Sequence, residues 1–564
     1  MGLRPLDKQK SFFDVEALFA GLLKSSHTSP YSDPRTGRFV FFAEQIYPEL
    51  EHLREQMEKM YCVDNGRPAE EPVEMMGATI LQFMERLPDR HAAEACGYDL
   101  RWKLALHLTA DKKAFHHTSL VKFRERLVAH GLENAGFEGV VDLLVEKGWI
   151  KKRSKQRLDS THIIGLVSQM SRLECVRETI RLALQGLEKG VGQECPRAWG
   201  SWWERYVESK VDYKSSVEVF RLKMLHAGQD IQEIVAWIGT LSEELQQGEQ
   251  VRLLKRVFEE NFEVVTGGQL LERRAQPAGA VCNPHEPEAQ WSKKSTSKDT
   301  QWVGHKVQIA ETVEDEPRGN GEPTKSLIVS MVTQAATESE KAGMEQTLQE
   351  QHEQGMEKPS ELYVDGAYTS GQALKEAHEE GRELMGPAPA SPDRGKVYPA
   401  EKFKVDLGNR QAVCPAGQIS TQCSRLEEKE TGKVSYRFEW GTVACQGCAL
   451  RTECVSRGQT HRTVTVGEHH MFLQGRRGEM QTEAFKQKMK RRNGIEGSVS
   501  ELVRGYGLRK ARYRGRGKVR LQNYMIGAAC NVKRWFRRMV WEAQQAAHHS
   551  EAEGMLPAAL TASG

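Results

Sequence analysis

Apolar residues recur at intervals of three and four along MMGATILQFMERL (75–87), LRWKLALHL (100–108) and SLVKFRERLVAHG (119–131). That spacing predicts helices over the first part of the chain. Thr118 or Ser119 is placed to cap the last of them, and Gly131 to stop it. KKRSKQRLDSTHIIG (151–165) breaks the pattern, with Leu158-Asp159 reading as the end of a strand. Helical spacing returns from about 170 to 265, and residues 273–299, polar and punctuated by Pro and Gly, read as a linker closing a long insertion. HKVQIAETV (305–313) and SLIVSMVT (326–333) then alternate with period two around the hairpin loop EDEPRGNGEPTK. A helix of the QTLQEQHEQ type leads into ELYVDGAYTSG (361–371), where Leu362-Tyr363-Val364 is a short buried strand ending at Asp365. Ser370 caps a further helix ending near Gly381, ELMGP (383–387) is one more strand, and APASPDRGK is a loop. With the insertions set aside, a three-strand meander is followed by alternating helices and strands, which predicts a mixed α/β sheet.

Length and composition narrow the class without naming a function. A chain of 564 residues exceeds one compact core, so about three or four domains are expected. It is 39% hydrophobic and 28% charged, with no run approaching the roughly 18–20 apolar residues of a membrane span. The first residues, MGLRPLDKQKSFFD, lack the apolar core of a signal peptide, so a cytoplasmic protein is expected. In a reducing compartment the 11 cysteines argue against a disulfide scaffold. Net charge is only +3, but its distribution is uneven. Residues 311–361 carry twelve acids and four bases, whereas 486–538 holds seventeen Lys or Arg against two acids, Glu496 and Glu501.

A charge excess of that kind is expected where a polyphosphate lies across the surface. After Glu496 come Arg504, Arg509, Lys510, Arg512, Arg514, Arg516, Lys518 and Arg520, with Tyr506 and Tyr513 able to stack on a splayed base. Glycines 505, 507, 515 and 517 permit close backbone approach. A solubilising surface is the plainer account, but it does not explain so few acids. Near the N-terminus, Lys112, Lys113, Phe115, His116, His117, Lys122, Arg124 and Arg126 fit either DNA contact or a solvated helix face. Asp159, Asp365 and Glu496 together suggest more. Phosphoryl transfer on DNA needs charge neutralised on a pentavalent phosphate and a deprotonated water or hydroxyl. A pair of Mg²⁺ ions about 3.5–4 Å apart meets both needs and asks for carboxylate ligands. Cys445 and Cys448 have the Cys-x2-Cys spacing that brings two thiolates to one tetrahedral metal. Cys454 and Cys414 could complete a structural Zn²⁺ site, with Cys423 spare and His461 a substitute; free buried thiols are the competing reading.

RLDSTH, LYVDGAYTSG and GIEGSVSELVRGYGLRKARYRGRGKVRLQ resemble the three catalytic blocks of bacterial insertion-sequence transposases of the DDE, RNase H-like superfamily. LPDRHAAEACGYDLRWKLALHL…FRERL resembles the N-terminal domain of a subgroup with a cysteine-rich insertion before the catalytic Glu. The resemblance implies an RNase H-like catalytic core and a metal-binding triad of Asp159, Asp365 and Glu496 holding two Mg²⁺ (or Mn²⁺). It implies DNA partners, the element's terminal inverted repeats and its target, and a homodimer on paired ends. Arg492, four residues before Glu496, matches an Arg of a signature in related transposases, whereas the Tyr and Lys of that signature are Met489 and Val503 here. The residues expected on DNA are thus Arg492, Arg504, Arg509, Arg512, Tyr513, Arg514 and Lys518.

The organisation expected is a helical DNA-binding domain over 1–148 and a first core strand with Asp159 over 149–169. A helical insertion and linker (170–300) and core with Asp365 (301–400) follow. A cysteine-rich insertion (401–470), a basic helical part of the core with Glu496 (471–540) and a tail (541–564) complete it. Competing readings are an RNase H-like nuclease that cuts without rejoining, a catalytically silent domesticated DNA-binding protein, and a zinc-dependent regulator. The last leaves Asp159 and Asp365 unexplained.

Overall fold

The computed structural model describes residues 36–62, 69–191, 195–209, 217–294, 300–316, 318–390, 397–429 and 432–554. The N-terminal segment MGLRPLDKQKSFFD, the end of the linker, part of the APASPDRGK loop and the last ten residues of the tail lie outside the described residues.

A six-stranded mixed sheet organises the chain. Its strands are β1 (Gln156–Ile164), β2 (Gln290–Lys294), β3 (Thr300–Thr312), β4 (Ile328–Ala335), β5 (Glu361–Tyr363) and β6 (Glu383–Met385). β1 pairs antiparallel with β3 along its whole length and parallel with β5, and β5 pairs parallel with β6. The first half of β3 takes β2 as its other neighbour and the second half takes β4, both antiparallel. The mixed α/β class expected from the pattern is therefore present. The linker reading of 273–299 needs correction at its end, because β2 forms an edge strand there. QWSKK has no apolar alternation to announce it, as an edge strand half open to solvent need not bury either face.

The helices that matter here are α1 (Pro72–Glu85), α2 (Thr118–Ala129), α3 (Ala135–Glu146), α4 (Arg172–Val191), α5 (Val217–Ile238), α6 (Glu249–Asn261), α7 (Glu340–Glu353), α8 (Gly371–Glu379), α9 (Gly494–Tyr506) and α10 (Arg516–Gly554). Nearly every residue of α1 is buried, including Thr79 and Gln82, so it is an interior helix rather than an amphipathic surface one. Neither Thr118 nor Ser119 caps α2: the boundary residue is His117, with no side-chain cap, and His116 Nδ1 instead meets Thr118 Oγ1 at 2.8 Å. Gly131 does stop this region, with φ +67°. Ser370 caps α8 as expected, its Oγ accepting from Ala373 N at 3.1 Å.

α10 is the spine of the molecule. Asn531 reads the backbone of β4 like a missing strand, donating to Ile328 O and accepting from Ile328 N, both at 2.8 Å. On its other side α10 packs against α1 and α3. One continuous apolar core therefore runs from Phe41 and Phe83 in the N-terminal helices, through Val519, Met525 and Val532 of α10, to Ile309, Val329 and Leu362 of the sheet. The helical insertion has a separate core from α4, α5 and α6, where Trp199 stacks on Trp203 (centroids 5.9 Å) and meets Trp237 edge-on at 5.5 Å. The cysteine-rich stretch folds around Phe403, Phe438 and Trp440, with short strand pairs of its own. Among the described residues no helix is long and apolar enough to cross a membrane.

Candidate active site

Sheet register brings the two aspartates together. In the parallel β1–β5 pair, Gln156 lies beside Leu362 and Arg157 beside Tyr363. Continuing that register by two residues sets Asp159 next to Asp365. β5 ends at Tyr363, so Asp365 opens a turn in which its Oδ1 accepts from Ala367 N at 2.8 Å. Asp159 Oδ1 accepts from the next amide, Ser160 N, at 2.8 Å.

Glu496 lies in the first turn of α9, which starts at Gly494 after a tight turn over Lys490–Asn493. The glycines around Glu496 thus mark the beginning of the helix. Gly494 has a packing reason: a Cβ there would lie 2.0 Å from Arg157 Nη1. Arg157, two residues before Asp159, reaches across to donate to Arg491 O at 3.0 Å and to Glu311 Oε1 at 2.6 Å. Glu311, on β3 and 0% exposed, also accepts from Arg534 Nη1 of α10 at 2.8 Å and from Ser498 Oγ of α9 at 2.6 Å. This buried cluster ties the Glu496 helix to the strand that carries Asp159. Sequence reasoning missed it, although Arg157 shares a β-strand face with Asp159.

The three acids meet around one guanidinium. Arg492 Nη2 is 3.1 Å from Asp159 Oδ2 and 3.9 Å from Asp365 Oδ2, and Nη1 is 3.7 Å from Glu496 Oε1. The side chain of Glu496 is 71% exposed and that of Asp365 41%, but Asp159 is only 20% and Arg492 18% exposed. Burial holds the Asp159 carboxyl above the usual carboxylate range, with the Asp365 charge adding to the effect; the Ser160 amide and Arg492 pull the other way. All three side chains offer hard oxygen donors, the set a divalent cation such as Mg²⁺ takes. Among the described residues, however, no three His, Cys, Asp or Glu side chains are drawn together closely enough to hold a metal ion as they stand. Here the acids are gathered by Arg492 instead of by one another.

The basic segment divides. Residues 508–511 run beside the end of β1, where Ile164 N donates to Arg509 O and Ala511 N to Ile164 O, both at 2.9 Å. Arg509 turns inward, giving Nη1 to Thr161 Oγ1 and to His162 Nδ1; burial, Arg509 and Lys294 push the His162 imidazole down to about 4. Arg512 donates to Leu87 O at 2.6 Å and lies over the Phe83 ring. Tyr513 is covered by the Arg124 guanidinium, 4.6 Å from its ring centroid, which leaves that face closed to a base. Lys518 pairs with Glu125 at 3.1 Å. Arg504, Lys510 and Arg514 are exposed. Met489, where the signature has Tyr, packs on the Tyr363–Met385–Phe485 cluster, and Val503 packs on the main core.

Cys414, Cys445, Cys448 and Cys454 line one small cavity with Trp440 and Arg451. Burial pushes the Cys454 thiol up to about 11, and the other three thiols add to that shift. Four cysteines lining one cavity suit a tetrahedral thiolate-loving ion by donor type, but, like the acids, they are not drawn together closely enough to hold one as they stand. Cys423 lies away from the cavity on a strand, and His461 bonds its neighbour Thr460 instead.

Comparison with known families adds two matches. Residues 413–536, containing all four cavity cysteines and Glu496, match the model of a Transposase DDE domain. Residues 31–126, spanning α1 and most of α2, match that of a Transposase domain (DUF772). No curated protein and no solved structure matches the chain. A transposase-domain model thus matches at the N-terminal side and a DDE-domain model matches around the helix of Glu496, and together the two matches indicate a DDE transposase of an insertion sequence.

Proposed function

We propose that this transposase binds the terminal inverted repeats of its element and carries out divalent-metal-dependent strand cleavage and strand transfer at Asp159, Asp365 and Glu496. The observation that carries the reading is the convergence of these acids, from three separate segments, on the single guanidinium of Arg492. The sheet supports it: apart from the added edge strand β2, three antiparallel strands (β1, β3, β4) extended on one edge by the parallel strands β5 and β6 make the arrangement expected of an RNase H-like core.

Two Mg²⁺ or Mn²⁺ ions held by the triad would neutralise charge on the pentavalent phosphate and supply a deprotonated water or 3′-hydroxyl. The chain's own part is alignment. The Ser160 and Ala367 amides fix the two aspartates, and the Glu311 cluster fixes the helix of Glu496. Exposed Arg504, Lys510 and Arg514 take the DNA backbone, which sets position on the duplex more than sequence. The four cavity cysteines hold a structural Zn²⁺ that closes the small insertion, and two copies of the chain act on paired ends in the cytoplasm, at the nucleoid.

The test is Mg²⁺-dependent cleavage of DNA carrying the sequences that flank the gene, comparing the intact protein with Glu496→Gln. Nicking that vanishes in a variant still able to bind supports the reading, and equal activity in both removes Glu496 from the site. Joined products on a plasmid target separate a transposase from a nuclease that only cuts.

A further inference from the structure

The triad is already neutralised in part, and the neutralising group belongs to the chain. Both terminal nitrogens of Arg492 face acids, Nη2 toward Asp159 and Asp365 and Nη1 toward Glu496, while its Nε is buried without a partner. Three carboxylates gathered in one place repel one another unless a cation stands between them. Around Arg492 the main chain is fastened on several sides. Arg491 O accepts from Arg157, Arg491 Nη1 donates to Tyr363 OH at 3.2 Å, and Lys488 Nζ reaches Glu383 Oε2 at 2.9 Å. The backbone of this turn is thereby fixed, and a long side chain on a fixed turn can change partners without moving the helix that follows. A guanidinium fork fits a carboxylate and a phosphate equally well.

We infer that Arg492 is the resident counter-ion of the metal-free site and competes with divalent cations for the same carboxylate oxygens, so that metal loading is coupled to the arrival of DNA. This rests on the reading of the triad as a metal site. Without DNA, a cation entering the triad must displace the guanidinium and leave it facing only carboxylates already committed to the metal. With DNA present, a backbone phosphate offers Arg492 another partner, and the acids are released to the metal. Linkage then requires that DNA tighten metal binding by the same factor as metal tightens DNA binding. The arrangement keeps the site weakly loaded until a DNA phosphate is in place.

The experiment is Mn²⁺ titration of the full chain, followed by electron paramagnetic resonance of free Mn²⁺, without DNA and with duplexes cut from the DNA flanking the gene. Arg492→Gln is expected to bind Mn²⁺ without DNA on the order of ten-fold more tightly than the wild type, and to lose most of the gain that DNA brings. Arg492→Lys, which keeps the charge, should stay near the wild type. A thermal melt guards against misfolding: Mn²⁺ should raise the melting temperature of Arg492→Gln more than that of the wild type. Equal or weaker Mn²⁺ binding by Arg492→Gln overturns the inference, provided that Asp159→Asn with Asp365→Asn abolishes binding. If the double aspartate variant binds Mn²⁺ as the wild type does, the metal reading of the triad fails and takes the inference with it.

Discussion

Glu311→Gln isolates what holds Glu496 in place. The substitution conserves volume and removes one charge from a position with 0% exposure. In the native cluster that charge faces Arg157 Nε at 2.6 Å and Arg534 Nη1 at 2.8 Å, with Ser498 Oγ at 2.6 Å. A glutamine leaves two buried guanidiniums with one neutral acceptor, and its own NH₂ faces guanidiniums that only donate, with the Ser498 hydroxyl as the one neighbour able to accept from it. Removing one partner of a buried ion pair costs about 3–5 kcal/mol, against roughly 0–1 kcal/mol for an exposed pair such as Lys518–Glu125. The expected result is a clear fall in the urea midpoint of the transition that includes the sheet, with little change for Glu125→Gln. Because Ser498 lies in α9, amide exchange across Gly494–Tyr506 should quicken in Glu311→Gln before the strands open. The pH dependence has a definite sign. The two arginines hold the Glu311 carboxyl below its usual range, against the opposing effect of burial. A depressed folded-state pKa contributes stability that is present above the unfolded value and is lost as pH falls through the folded one. The gap between wild type and Glu311→Gln should therefore narrow as pH drops through the acid range below about 4. A cost under about 1 kcal/mol at neutral pH, with unchanged exchange in α9, would refute this account of how the helix is anchored.

Three further outcomes follow from the same structure. Gly494→Ala puts a Cβ 2.0 Å from Arg157 Nη1, so it should displace that guanidinium and cost about 1–3 kcal/mol in a denaturant melt; wild-type stability would mean Arg157 has other room. Glu350, on α7 against Tyr524 of α10, has its carboxyl pushed up to about 7 by burial. A raised folded-state pKa favours the folded form at low pH, so stability should decline as pH rises from about 4.5 to about 7 and then level. Glu350→Gln should flatten that decline, and an unchanged pH profile would assign it to other groups. Purified protein should carry one zinc per chain by elemental analysis, and chelation or Cys448→Ser should lower the melting temperature of the 401–470 module while leaving sheet exchange intact. Metal-free protein of equal stability would return the four cysteines to plain thiols.

Legibility in the sequence followed the strength of the local signal. β3 and β4 were readable because each is a short run rich in apolar and β-branched residues, as in VQIA and SLIVSM, although the structure buries β4 and nearly all of the second half of β3 on both faces. The aspartates were readable because each follows a short apolar run; the crossover helix α7 between β4 and β5 implies a parallel direction for β5, but the register that sets Asp159 beside Asp365 could not be read from it. β2 was not, since a polar edge strand buries too little to impose alternation. Nor could periodicity tell that α1 would be enclosed on all sides, because what encloses it is α10, more than four hundred residues away along the chain. The basic segment shows the same limit in electrostatic form. Charge density over 486–538 was plain in the composition, but not which arginines turn inward. Arg509 and Arg512 satisfy backbone carbonyls at His162 and Leu87, and a carbonyl leaves no mark in a sequence. Exposed Arg504, Lys510 and Arg514 are indistinguishable from them in composition.

Structural and chemical duties are interleaved residue by residue along the same short elements. On β1, Arg157 is spent on the Glu311 cluster and Asp159 on the triad; on the turn before α9, Arg491 O accepts from Arg157 while the Arg492 guanidinium faces the acids and donates to Asp159. Alternation makes this possible, because residues two apart on a strand share a face and residues four apart on a helix share a side. The consequence is that loss of activity on mutating this region does not by itself identify a catalytic group. Arg157→Ala and Asp159→Asn should both abolish cleavage, for different reasons. The first should quicken amide exchange in α9 and lower the melting temperature. The second, which removes a partly buried carboxylate from a like-charged cluster, should leave α9 protected and the melting temperature close to that of the wild type. If Asp159→Asn loosened α9 as much as Arg157→Ala does, Asp159 would belong to the scaffold and not to the chemistry.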